Sequence, residues 1–183
     1  MTRSISQSHD APDYLFPFLT DSGSLTKKLH QMTGSAVVKV MSGNLTNPDW
    51  WCQHYLKLTC DQLFQREILM LSGKYTCWYA RTYIPASTWY LHSSFFEQLA
   101  DKNLGDMLFD NPHVKRVSST FRTIDRSDIA YYWPPKELVL ESERLWLRLS
   151  LFSLYEKANF YLTELFLPEL EPCLLQIGLP IGD

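Results

Sequence analysis

Hydrophobic and polar residues alternate along several stretches of the chain with the two-residue period of a β-strand. The stretches "LFQREILMLSG" and "YTCWYARTYIPAS" flank a predicted hairpin turn at Gly73-Lys74, and "RLWLRLSLFSLY" and "ANFYLTELFLP" join near Glu156-Lys157. With "SAVVKVMSGN" and "HVKRVSSTFRTID", about six strands are predicted. Because they come in hairpin pairs and not in βαβ alternation, we predict a six-stranded antiparallel sheet with helices packed on it, an α+β fold.

Short helices are predicted between the strands. In "DSGSLTKKLHQMTG", Ser22 or Ser24 can cap a helix that Gly34 ends. The stretch "SSFFEQLADK" contains Ser94 and Glu97 at capping-box spacing, and "NLGDMLFDNP" predicts a second short helix. Helical segments are thus predicted near residues 22–34 and 93–110.

The ends of the chain show no regular pattern. Residues 1–12 are polar and predicted to be flexible, and residues 13–183 are predicted to form a single domain. The tail 169–183 holds two prolines and two glycines and is predicted to be irregular.

Composition excludes several classes of protein. The formal net charge is −3 and no basic block is present, which argues against a nucleic-acid partner. We find no signal peptide and no run of about 18 apolar residues that would span a membrane. The four cysteines match no zinc or redox spacing, so we expect reduced thiols in a cytoplasmic protein, with a monomer as the default.

Two charged residues interrupt otherwise apolar strand faces. Arg66 shares a face with Phe64, Ile68 and Met70. Glu164 shares a face with the apolar residues at alternate positions of "FYLTELF". Since a buried charge requires a partner, the two either pair with each other or sit at a sheet rim, or both line a cavity and bind opposite ends of a polar ligand. Arginine suits a ligand carboxylate, and glutamate suits a hydroxyl or a proton in transit.

Other candidate groups favour structural roles. Arg81 in "WYARTYIP" is interpreted as a member of a structural ion pair, with a second cationic ligand as the alternative. Four further arginines are expected to be solvated or in surface pairs: Arg122, Arg126, Arg144 and Arg148. HExxH, GxSxG, P-loop and GxGxxG motifs are absent from the sequence, so metal, nucleotide and serine-hydrolase chemistry is poorly supported.

The segments "SGSLTKKL", "REILMLSG", "CWYARTYIPASTW", "NLGDMLF" and "YLTELFLP" occur in an order that resembles the chorismate pyruvate-lyases over roughly residues 15–170. The resemblance implies conversion of chorismate to 4-hydroxybenzoate and pyruvate, the first committed step of ubiquinone biosynthesis, by a carbon-oxygen lyase without metal or organic cofactor. It also implies helical flaps over a buried pocket.

Site residues carry over position by position. The resemblance implies that Arg66 in "REIL" binds the ring carboxylate and that Glu164 in "TELFLP" lies at the ring hydroxyl. It places backbone groups of Leu25 and Leu104 at the flaps and leaves Arg81 outside the usual contacts. One departure is "LWLRLS", where the family commonly has "LWGRRS".

Two alternatives remain at this level. Effector domains of some bacterial transcription regulators share the expected fold and bind small acids, so a non-catalytic sensing domain is the first. An interaction protein with an inert cavity is the second. Appearance of 4-hydroxybenzoate from chorismate separates both from the lyase.

Overall fold

The computed structural model describes residues 11–100, 104–109, 111–139 and 142–176. Its centre is a six-stranded antiparallel sheet in the order β1-β2-β3-β6-β5-β4, which confirms the predicted α+β fold. The strands are β1 (Val37–Thr46), β2 (Leu63–Ser72), β3 (Tyr75–Pro85), β4 (Val114–Asp125), β5 (Arg144–Leu154) and β6 (Ala158–Phe166). The helices are α1 (Phe16–Leu19), α2 (Leu25–Thr33), α3 (Trp50–His54), α4 (Ala86–Leu91), α5 (Ser93–Phe96), α6 (Leu104–Phe109) and α7 (Leu170–Leu175).

Tight turns fix the register of the two central hairpins. Gly73 joins β2 to β3 with φ of 57°, a left-handed conformation that glycine adopts without strain. Tyr155 and Glu156 also have positive φ between β5 and β6, where they reverse the chain. Both hairpins lie where the alternation predicted them, and β3 pairs with β6 to join them into one sheet.

The two faces of the sheet bury different layers. One face packs on α3 and on the segment 129–139, around Trp51, Tyr79 and Tyr83. The other face packs on α1, α2, α6 and α7, around Phe18, Leu29 and Trp78. Since all six strands have side chains on both faces, a strand residue's parity decides which layer it enters.

The α2 helix follows the sequence signals closely. The Ser24 side chain accepts a hydrogen bond from Lys27 N at 3.2 Å, so Ser24 and not Ser22 is the N-cap. Gly34 ends the helix in the left-handed conformation with φ of 74°. This helix and α6 lie over the second face of the sheet, as the flap prediction requires.

Two local predictions were wrong. Ser94 lies inside α5 and not before it, because the backbone N–H of Phe96 already bonds to the carbonyl of His92. The tail was predicted to be irregular, yet it forms α7, which tolerates Pro172 because that residue lies in the first turn, where its missing N–H costs no helical bond.

Part of the predicted flexible segment 1–12 and the end of the tail, residues 177–183, lie outside the described residues. In the part of the chain that the structure describes, no helix is long and apolar enough to cross a membrane.

Candidate active site

A cavity lies between the second face of the sheet and the helices α2 and α6. Its volume is about 50 Å³, whereas pockets that hold drug-sized ligands usually measure about 300–1,000 Å³. A ring-sized ligand therefore requires the covering helices or side chains to move outward. The charged residues of the lining are Arg66, Arg116, Arg148 and Glu164, and the remainder is mostly apolar.

Arg66 is a buried cation without a counterion among the residues that the structure describes. It lies on β2, opposite Thr82 of β3, and is only 5% exposed. Among the described residues we find no hydrogen bond or ion pair to its guanidinium, and burial lowers the pKa of Arg66. Because a buried cation in this state is unfavourable, the site is prepared for an anion that the protein does not itself supply.

Glu164 pairs with Arg148 and not with Arg66. Arg148 donates to Glu164 Oε2 from Nε at 2.7 Å, its Nη2 lies 2.6 Å from the same oxygen in an ion pair, and Arg148 is 1% exposed. The Nη1 group of Arg148 donates to the backbone carbonyls of Phe18 at 2.9 Å and Asp21 at 3.2 Å. The pair leaves Glu164 Oε1 without a hydrogen bond among the described residues, so a carboxylate oxygen remains available to a ligand.

The prediction that Arg148 is solvated or in a surface pair was therefore wrong. A sequence signal for its position exists. The β5–β6 hairpin turns around Glu156, and Arg148 and Glu164 each lie eight residues from it. Side chains at equal distances from an antiparallel turn face each other on the same side of the sheet, so a buried glutamate at 164 requires its partner at 148.

Arg66 and Glu164 lie on either side of β3, on the same face of the sheet. Arg66 pairs with Thr82, which pairs with Leu162, and Glu164 is two residues further along β6. With about 4.8 Å between strands and about 3.4 Å per residue, their Cα atoms are about 12 Å apart. Both side chains line the cavity, so a para-substituted ring above β3 would meet Arg66 at one end and Glu164 at the other.

The part of β3 that lies between Arg66 and Glu164 carries small side chains. Ala80 of β3 lies directly between Ile68 and Glu164 in the cross-strand register, and Thr82 lies between Arg66 and Leu162. Ala80 contributes only a methyl group above the sheet, which leaves room for a flat ring. Trp78 and Met70 complete the apolar wall of the cavity.

Arg116 is a third arginine of the cavity, and the sequence pattern gave no signal for it. In regular alternation Arg116 would share a face with Ser118 and Thr120. The β4–β5 register shifts between Arg116 and Ser118, so Arg116 lies opposite Phe152, on the cavity side. A bulge of this kind rotates a side chain to the other face, and it leaves no reliable mark in a single sequence.

The guanidinium of Arg116 is held from several sides. Nη1 donates to the carbonyl of Asp21 at 2.8 Å and Nη2 to that of Gly23 at 3.4 Å. The guanidinium carbon lies 5.3 Å from the ring centre of Phe109 and 5.1 Å from that of Phe152. Its Nε is buried without a hydrogen-bond partner among the described residues. Burial, followed by the nearby Arg148, lowers the pKa of Arg116.

The predicted flap residues Leu25 and Leu104 both line the cavity. Each is the first residue of its helix, α2 or α6, where backbone N–H groups have no partner within the helix. The two helices meet closely at this point. A β-carbon added to Gly105 would lie only 2.8 Å from Ser24 Oγ. Glycine at position 105 is thus required for this approach of α6 to the cap of α2.

Arg81 lies on the opposite face of the sheet. Its Nη2 is 3.1 Å from Glu67 Oε1, its Nε donates to Tyr79 Oη at 2.7 Å, and its guanidinium lies 4.3 Å from the ring centre of Trp133. This confirms the interpretation of Arg81 as a member of a structural ion pair.

Comparisons with known proteins identify related sequences. The sequence model of the family described as chorismate lyase matches residues 6–171. A probable chorismate pyruvate-lyase of Aromatoleum aromaticum is 30% identical over 167 residues, covering 86% of this chain and 86% of the relative. A probable chorismate pyruvate-lyase of Thiobacillus denitrificans is 26% identical over 167 residues, covering 91% and 89%.

A solved structure extends the likeness to a second group of proteins. A GntR-family transcriptional regulator from Bacillus cereus matches with a TM-score of 0.52 and 14% identity, covering 73% of this chain and 92% of the regulator. At that identity the likeness shows a shared fold and nothing further. The family match over most of the chain and the relatives above carry the assignment: the chain belongs to the chorismate lyase family.

Proposed function

We propose that this protein is a chorismate pyruvate-lyase that converts chorismate to 4-hydroxybenzoate and pyruvate. The observation that carries the proposal is the unpaired, buried Arg66, which faces the carboxylate of Glu164 across one apolar cavity. The ring carboxylate of chorismate would bind Arg66, and the ring hydroxyl para to it would donate to Glu164 Oε1. Backbone N–H groups of Leu25 and Leu104 would close the site from the helices.

The reaction balances without any further reactant. The ring carbon that bears the hydroxyl loses a proton, and the electrons of that C–H bond form a ring double bond. The neighbouring C–O bond breaks, and enolpyruvate leaves and takes up one proton at its methylene carbon to become pyruvate. No water, oxidant or reductant is consumed, which supports a lyase without cofactor.

The driving force is the aromaticity of the product, so the protein contributes position and electrostatics. Arg66 fixes one end of the ring, and Glu164 orients the other end and accepts the ring proton. Arg148 is a positioning residue, because it holds Glu164 Oε2 through a hydrogen bond and an ion-pair contact and leaves Oε1 toward the cavity. In a cavity closed from water these contacts are stronger than in solution.

Chorismate turnover by the purified protein tests the proposal. We expect 4-hydroxybenzoate and pyruvate in equal amounts, followed by chromatography and by a coupled pyruvate assay. Arg66→Lys should reduce kcat/KM strongly because the bidentate contact is lost. Arg126→Lys, an exposed arginine remote from the cavity, is the matched control and should retain full activity.

The role of Glu164 as base has its own measurement. Glu164→Gln keeps the shape and one acceptor oxygen but cannot take a proton. General-base catalysis contributes about 10²–10⁴-fold, so a fall of this size in kcat is expected. A near-normal rate would remove the base role and leave Glu164 as a residue that positions the substrate.

Product release should limit turnover. 4-Hydroxybenzoate keeps the carboxylate and hydroxyl that Arg66 and Glu164 bind, and it leaves only when α2 or α6 moves. We expect a burst of one equivalent of product followed by a slower steady state, and inhibition by added 4-hydroxybenzoate. A linear time course without inhibition would contradict this release step.

A cytoplasmic monomer that feeds 4-hydroxybenzoate into ubiquinone biosynthesis completes the proposal. The alternative is a small-acid sensing domain, which the fold likeness to the regulators favours. Such a domain would bind 4-hydroxybenzoate but leave chorismate unchanged over hours, so the turnover assay separates the two.

A further inference from the structure

The cavity holds more positive charge than one ring carboxylate requires. Its described lining includes Arg66, Arg116 and Arg148 against the single carboxylate of Glu164. Arg148 is neutralised by Glu164 and uses its remaining contacts on backbone carbonyls. Two cations therefore remain without a counterion in the lining, one at Arg66 and one at Arg116.

The two free cations lie at opposite ends of the cavity. Arg66 lies on β2 and Arg116 on β4, and between them in the sheet come β3, β6 with Glu164, and β5 with Arg148. The backbone of Arg116 is level with Phe160 of β6, four residues from Glu164, but its Nη1 reaches the carbonyl of Asp21 that Arg148 Nη1 also contacts. A ring that spans from Arg66 to Glu164 thus has the guanidinium of Arg116 to one side of its hydroxyl end. In chorismate the enolpyruvyl ether is attached next to the hydroxyl, so its carboxylate extends in that direction.

From this placement we infer that Arg116 binds the enolpyruvyl carboxylate of the substrate and makes the site selective for an aromatic or cyclohexadienyl dianion over a monoanion. The inference rests on the proposed function, because it uses the orientation set by Arg66 and Glu164. Arg116 has an unpartnered Nε for this contact. The rings of Phe109 and Phe152 hold its guanidinium in place before any ligand arrives.

The dianion site also accounts for the order of events. After the C–O bond breaks, the carboxylate at Arg116 belongs to pyruvate and the carboxylate at Arg66 belongs to 4-hydroxybenzoate. The two products are then held by different cations, and the loss of pyruvate leaves a monoanion that makes no contact with Arg116.

Calorimetry with two stable ligands tests the inference without turnover. The monoanion is 4-hydroxybenzoate, and the dianion is 3-(carboxymethoxy)-4-hydroxybenzoate, which carries an ether carboxylate beside the hydroxyl and cannot release pyruvate. Wild type should bind the dianion more tightly than the monoanion. Arg116→Met should weaken the dianion about 10- to 100-fold and change the monoanion less than threefold, as expected for one lost charge-assisted contact.

A second variant separates binding from a structural role. Arg116→Lys keeps the charge without the planar fork, so it should recover part of the preference for the dianion. If either variant lost affinity for both ligands to the same extent, Arg116 would serve only to hold the Asp21–Gly23 backbone, and the inference would be overturned. A wild type that does not bind the dianion would also overturn it. Absence of chorismate turnover with intact dianion selectivity would refute the proposed function and leave the Arg116 site standing.

Discussion

Replacing Arg148 by methionine is the most direct perturbation of the site's architecture. The substitution removes the hydrogen bond and the ion pair to Glu164 and both hydrogen bonds to the carbonyls of Phe18 and Asp21. Glu164, 5% exposed, is left as a buried carboxylate without its counterion. Breaking a buried pair in this way costs about 3–5 kcal/mol, and the apolar methionine offsets only part of it, so we expect Arg148→Met to lower the free energy of unfolding by about 4 kcal/mol.

The double variant Arg148→Met/Glu164→Leu tests whether this loss comes from the orphaned charge. Replacing a whole buried pair by apolar residues is often neutral or stabilising, so the double variant should recover most of the loss. The two carbonyls that Arg148 satisfied remain, at about 1 kcal/mol each, and set the expected residual deficit.

Urea denaturation followed by tryptophan fluorescence and circular dichroism measures both variants. Lys115→Met is the matched control, because Lys115 and Glu156 form an exposed pair with side chains 63% and 74% accessible. Its denaturation midpoint should equal that of wild type. The reasoning is refuted if Arg148→Met loses less than 1 kcal/mol, or if the double variant is as unstable as the single one.

Three further predictions concern other residues. Arg66→Met should abolish 4-hydroxybenzoate binding in calorimetry. It should also raise the free energy of unfolding by about 1 kcal/mol or more, because a buried cation without a counterion among the described residues is removed. A destabilised variant would contradict this. Burial and then Asp49 raise the pKa of the Cys52 thiol from about 9 to about 12, and burial also raises the pKa of Cys77. The native state thus keeps protons that the unfolded chain releases above about pH 9. The free energy of unfolding should be unaffected below about pH 9 and should fall above it by about 1.4 kcal/mol per thiol and pH unit. In urea titrations at several pH values, Cys52→Ala should show a smaller fall per pH unit than wild type. Gly105→Ala should lower the affinity for 4-hydroxybenzoate about tenfold, because the added methyl group would lie 2.8 Å from Ser24 Oγ and push α6 away from α2. The loss should be seen as a faster dissociation rate in stopped-flow displacement. An unchanged rate would show that the helices need not approach so closely.

The residues of the central strands could be predicted because their alternation is uninterrupted. Arg66 and Glu164 each break an apolar row in the middle of a strand, and the structure buries both on one face. Arg148 was misjudged for a different reason. Its neighbours Leu147 and Leu149 enter the other core layer. The run "LWLRLS" therefore indicates that the buried face is that of the leucines and that the arginine between them faces solvent.

Arg116 could not be found from the pattern at all. Its side depends on where β4 inserts one extra residue against β5, and that depends on pairing between strands distant in sequence. The pairing of charges differs in this respect. Arg148 and Glu164 face each other within one predicted hairpin, at equal distances from its turn, so the choice of Arg148 over Arg66 was available from the sequence once β5 was placed beside β6.

The contact between Gly105 and Ser24 joins the two covering helices into one wall. Leu25 and Leu104 belong to that wall from either side, so the cavity is covered only while both helices are in place. Displacement of either α2 or α6 is enough to uncover it. The lifetime of a captured ligand is therefore governed by the less stable of the two helices, and strengthening the more stable one would not lengthen it.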